Sequence, residues 1–195
     1  MTAERDPPRL PVFAVDQLDQ RQRELYDAIA GGARARGPQA FPLTDEAGRL
    51  EGPFNAMLLS PRLGGALQAL GGALRYGGQL TDRAREIAIL VVAGVWDSEF
   101  ETYAHEAVGR SVGLRDEELA ALRDGRPQAF DDASERLVAA TTLALTQRSD
   151  LSDEEFLAAR DGLGNDVLFE LTTLVGYYTT LAMQLRVFRV STNLA

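Results

Sequence analysis

The sequence predicts an all-α fold, a single-domain bundle of six to eight helices. Three observations carry that expectation. From Phe54 nearly to the end, apolar residues recur at i, i+3 and i+4. Ser60, Thr81, Asp97 or Ser98, Asp132 and Ser152 stand just before those runs, where helices are capped. No segment alternates as a strand would, even where β-branched residues gather at Thr141-Thr142 and across 171–180. The chain has 195 residues, 45% of them hydrophobic, enough for one sizeable core. It divides into an extended arm over 1–15 and a helical domain over 16–195.

The arm is proline-rich and aperiodic. Asp16 is placed to cap a helix over about 17–35, with Leu18, Leu25 and Ile29 on one face. Gly31-Gly32 weakens its end and Gly37-Pro38 stops it. Residues 38–53 are a loop of turn formers, with a tight reversal from Asp45 to Gly48. Phe54–Leu59 makes a short helical turn, and Pro61 opens a helix over about 61–77. The paired glycines of LGGALQALGGALR weaken that helix and call for another helix close by. Further helices follow over about 82–95, 99–112 (closed by Gly113), 115–124, 132–147, 153–161 and 165–189. Asp132 with Glu135 and Ser152 with Glu155 read as capping boxes. The tight turn at Val95–Ser98 makes 82–112 an antiparallel helix pair.

The bulk numbers exclude several functions. The net charge is −9 and no arginine cluster exists to neutralise phosphates, so nucleic acid is not an expected partner. The N-terminus has no apolar signal region, and no window approaches the roughly 18 apolar residues of a membrane span. A cytoplasmic protein without a membrane partner is expected. There is no cysteine, so disulfides, thiolate metal sites and cysteine nucleophiles are impossible. The single histidine, His105, argues against a His-rich metal site.

Within the helix pair the polar residues are few and informative. Helix 82–95 is apolar on most of its circumference, which marks it as buried. Glu86 sits on the face of Ile89 and Leu90, where a carboxylate is unfavourable unless paired. It either pairs with Arg83 or Arg85 near the helix start or belongs to a site. On the next helix Glu101 and His105 are spaced i, i+4, and Ser98 lies two turns before His105. A Glu–His pair either decorates a surface or relays protons near neutral pH. Antiparallel packing would bring Glu86 against both.

That spacing resembles the carboxymuconolactone decarboxylase and alkyl hydroperoxidase D-like proteins. Their hydroperoxidase branch has a glutamate, eleven residues, then Cys-x-x-Cys-x-x-x-His; here the positions hold Glu86, Ser98, Glu101 and His105. The decarboxylase-like branch also lacks the cysteines and carries an acidic–aromatic pair before its histidine, similar to FETYAH. GPFNAMLLSPRLGGALQALGGALR, GLRDEELAALRDG and GYYTTLAMQLRVFRV extend the likeness over roughly residues 50–190. Thiol peroxidase chemistry needs an attacking and a resolving thiol, so it does not carry over.

The resemblance implies a cofactor-independent lyase acting on a small anionic lactone or keto acid. His105 is then the general acid, held by Glu101, with Glu86 as a second proton carrier or an orienting group. No metal and no cofactor are implied. For the substrate, Ser98, Trp96, Phe54 and Arg85 are the lining candidates. Arg62, Arg75 and Arg83 are further cations, and Trp96 and Phe54 serve equally as core aromatics. Tyr103, Tyr177 and Tyr178 are hydrogen-bond donors or packing residues. The family also implies a homo-oligomer, a trimer or hexamer. The competing reading is a non-catalytic oligomeric binding or scaffold protein of the same fold.

Overall fold

A computed structural model describes residues 9–36 and 41–190. Among them are nine α-helices: α1 (Gln20–Ala30), α2 (Pro53–Met57), α3 (Pro61–Tyr76), α4 (Asp82–Trp96), α5 (Glu99–Ser111), α6 (Asp116–Arg123), α7 (Ala133–Arg148), α8 (Asp153–Leu163) and α9 (Asn165–Val187). Three 3₁₀ turns lie at Val15–Gln17, Ala33–Ala35 and Pro127–Ala129. The all-α class is as expected; the count exceeds eight because the short α2 is a full helical turn. None of the described helices is long and apolar enough to cross a membrane.

The first helix starts later than Asp16. Asp19 accepts from the Gln22 backbone N–H at 2.9 Å, and the Gln22 side chain accepts from the Asp19 N–H at 3.0 Å. This reciprocal box fixes the start at Gln20, and Asp16 falls in the preceding 3₁₀ turn. The helix ends at Ala30, short of the expected end near 35, because Gly31 caps it rather than only weakening it; the Gly37-Pro38 stop lies outside the described residues. The reversal at 45–48 is present. Asp45 accepts from the Ala47 and Arg49 N–H groups, inside a bridge between Thr44 and Leu50. At α7 only half a capping box forms, because Glu135 turns instead to Arg83. The arm is tied down too: Asn55 donates to the Pro11 carbonyl and accepts from the Phe13 N–H.

Helix α4 is the axis of the core. Every residue from Ala84 to Ala93 is buried, and α5, α6, α7 and α9 pack around it. Its apolar side chains each contribute on the order of 1.5–3 kcal/mol by leaving water. Asp97 takes the left-handed conformation (φ 50°), and the Ser98 N–H donates to the Ala93 carbonyl at 3.0 Å. The chain reverses there, and α5 packs back along α4. Ala93 and Ser98 open the register, so the residues two turns further along each helix, Glu86 and His105, fall opposite each other.

Gly52 is required by this packing. Its φ of 58° and ψ of −135° suit glycine alone, and an added Cβ would sit 2.1 Å from Cζ of Phe100. Gly52→Ala is expected to lose about 2–3 kcal/mol of stability in denaturant unfolding, through strain and overpacking together. An unchanged midpoint would show that Phe100 is not confined there.

Candidate active site

The site grows from one burial problem. Glu86 lies in the middle of the most apolar helix and is 0% exposed. Its Oε2 is 2.6 Å from His105 Nδ1, and His105 is itself buried. An ionised carboxylate only accepts, so Nδ1 carries the proton and Nε2 is the nitrogen left for chemistry. Glu86 Oε1 makes no hydrogen bond; Arg75 Nη1, from α3, lies 4.0 Å away. The imidazole stands edge-on against Tyr178 (5.2 Å between ring centres), which stands edge-on against Tyr177 (5.1 Å). Burial, then the charge of Glu86, raises the Tyr178 pKa well above its usual value. Burial raises that of Tyr177 as well, so both phenols remain protonated donors at neutral pH.

Glu101 is placed differently from expectation. It is buried, yet neither carboxyl oxygen makes a hydrogen bond, and the partner of His105 is Glu86. Desolvation pushes the Glu101 pKa up to about 8. The neighbouring Ser98 hydroxyl opposes that shift, although no well-formed hydrogen bond joins the two. At neutral pH Glu101 is therefore a carboxylic acid rather than a carboxylate. Ser98 Oγ and Trp96 Nε1 are also buried without a hydrogen-bond partner. All of these atoms belong to residues of the α4–α5 turn or the first turn of α5. Such atoms are rare in a folded interior and mark where a ligand's polar groups fit.

The cations sort themselves by packing. Arg85 is buried but gives its guanidinium to Asp82, one turn back on the same helix. Arg83 binds Glu118 of α6 and Glu135 of α7, both at 2.6 Å. It is Arg75 that approaches Glu86. Phe54 is buried, and its ring lies 5.5 Å beneath the guanidinium of Arg34. Arg34, from the 3₁₀ turn 33–35, was not singled out by the sequence, since that turn has no periodic pattern. Among the described residues no three His, Asp or Glu side chains group to hold a metal ion.

The helical architecture that carries the buried Glu–His pair is an alkyl hydroperoxidase D-like fold, here without thiols. Residues 61–145 match the model of the carboxymuconolactone decarboxylase family. No curated protein matches it. Among solved structures it is similar to the alkylhydroperoxidase AhpD core of an uncharacterized peroxidase-related protein from Ralstonia eutropha JMP134. That match has 17% identity, covers 96% of this chain and 94% of that one, and has a TM-score of 0.76. A protein of unknown function from Agrobacterium tumefaciens, assigned to the AhpD type, matches at 19% identity over 72% and 97%, TM-score 0.66. A variant of the debrominase Bmp8 in complex with 2,3,4-tribromopyrrole matches at 10% identity over 95% and 91%, TM-score 0.68. At these identities the likenesses speak for the fold. The family match begins at α3 and ends in α7, so Arg34, Phe54, Tyr177 and Tyr178 all come from outside it.

Proposed function

We propose that this chain is a cofactor-independent acid–base lyase of the decarboxylase type, acting in the cytoplasm on a small anionic lactone or keto acid. The observation that carries the reading is the buried 2.6 Å contact between Glu86 and His105. In a substrate whose carboxylate is conjugated to a carbonyl, CO₂ departs and its bonding electrons pass into that carbonyl. The resulting enolate is protonated at carbon. His105 Nε2 delivers the proton, while Glu86 keeps the Nδ1 proton and stabilises the imidazolium beforehand. Neutral Glu101 donates a hydrogen bond or a proton without adding negative charge next to an anion. Burial keeps water from the enolate.

Assembly into a trimer or hexamer belongs to the same proposal. It is supported by the outer face of α9, where Phe169, Thr173, Gly176, Thr180, Met183 and Val187 form an uncharged stripe; Phe169 is 75% exposed. The scaffold reading differs at the dyad, since nothing in binding alone requires a charged pair beneath apolar walls.

The test is CO₂ release from a panel of γ-lactone acids and β-keto acids. At least one is expected to show turnover that depends on the protein. Thiol-dependent peroxide consumption in place of CO₂ release would overturn the lyase reading.

A further inference from the structure

Two guanidiniums approach the row of rings running from His105 through Tyr178 to Tyr177. Arg75 reaches Glu86 from the last turn of α3. Gly71 stands one turn before Arg75 on the same helix. Arg34 arrives at that turn from outside the helix. An added Cβ on Gly71 would meet the Tyr177 hydroxyl at 2.3 Å and Arg34 Nη2 at 2.6 Å. The missing side chain of Gly71 is what allows the phenol and the guanidinium to meet there. Arg34 is also held in place: its Nε donates to Gln68 Oε1 at 3.0 Å, and its plane rests on Phe54. Its field reaches both Tyr177 and Tyr178.

We propose that Arg34, with Arg75 and the Tyr177 hydroxyl, forms a carboxylate-binding subsite beside the Glu86–His105 pair. The 33–35 turn, outside the family-matched segment, then sets the specificity for an anionic ligand. The charge balance argues for it. Arg75 beside Glu86 and Arg34 beside Tyr177 bring two guanidiniums to the ring row, while buried Glu101 holds its proton at neutral pH and adds no negative charge. A partly buried cluster with surplus positive charge favours an anion. A guanidinium fixed by stacking and by its Nε bond presents its fork to a carboxylate with little further ordering. The identity of that anion as substrate rests on the lyase reading; the subsite does not.

The probe is 5-oxotetrahydrofuran-2-carboxylate, a saturated lactone acid, set against its neutral methyl ester. Binding is followed by calorimetry. The wild-type chain is expected to bind the acid roughly tenfold or more tightly than the ester. Arg34→Gln should weaken the acid by roughly the same factor and leave the ester unchanged. Arg34→Lys should recover part of the loss, keeping the charge without the fork. If acid and ester weaken alike in Arg34→Gln, the residue only supports the fold and the proposal fails. It fails also if the wild type does not prefer the acid. Arg34-dependent binding without CO₂ release from any panel compound would remove the lyase reading and keep the subsite. CO₂ release with unaltered KM in Arg34→Gln would do the reverse.

Discussion

His105→Gln is expected to lower kcat/KM for CO₂ release by roughly 10²–10⁴-fold, the range a positioned general acid contributes. Glutamine suits the test because its amide N–H can still donate to Glu86 Oε2, which lies 2.6 Å from Nδ1 in the wild type. Glu86 is 0% exposed, and stranding its charge would destabilise the core and confuse loss of chemistry with loss of fold. With glutamine the helical circular dichroism and the assembly state should be unchanged while turnover falls. The loss should appear in kcat more than in KM, because the imidazolium acts on the developing carbanion and not on the bound acid. Wild-type turnover in this variant would remove His105 from the mechanism, whatever its geometry.

The fold was legible because its signals are local. Helical periodicity, caps and stop residues act within a few positions, and the all-α class follows from them. The Glu86–His105 contact was legible for a related reason. A short turn fixes the antiparallel register at Ala93–Ser98, and two turns of each helix carry it to the pair. What failed to read was competition between partners. The i, i+4 spacing puts Glu101 and His105 on neighbouring turns, but the across-helix carboxylate of Glu86 takes Nδ1. Similarly, Arg85 was placed near the site, yet Asp82 lies one turn away on the same helix and captures it. Arg34 had no local signal at all. Its place depends on Gln68, Phe54 and the gap at Gly71, three contacts distant in sequence. The helix start at Gln20 in place of Gln17 shows the same limit. Two acidic residues, Asp16 and Asp19, precede the helix, and only the reciprocal contact with Gln22 decides between them.

Glu101 supplies the second large effect. Stability of the wild-type protein is expected to fall as pH rises from about 4.5 to about 8, relative to Glu101→Gln. Below 4.5 both the folded and unfolded chains hold the Glu101 proton, and its contribution is fully present. Between 4.5 and about 8 the unfolded chain releases that proton while the buried carboxyl retains it. Folding then requires proton uptake, and stability declines by about 1.4 kcal/mol per pH unit. Above about 8 the folded carboxyl ionises too, and the loss levels off at on the order of 5 kcal/mol. Glutamine is neutral throughout and has no such slope, so the difference between the two proteins isolates this one group. Urea unfolding at several pH values across that window measures it, and parallel curves would show that Glu101 is ionised in the fold. The same titration links stability to function. Ionised Glu101 adds a negative charge to a cluster that otherwise favours an anion, so affinity for a carboxylate should weaken above about pH 8 in the wild type and not in Glu101→Gln. A buried acid that stays neutral at pH 7 is unfavourable at high pH, but it allows a proton donor and an anionic ligand to lie side by side.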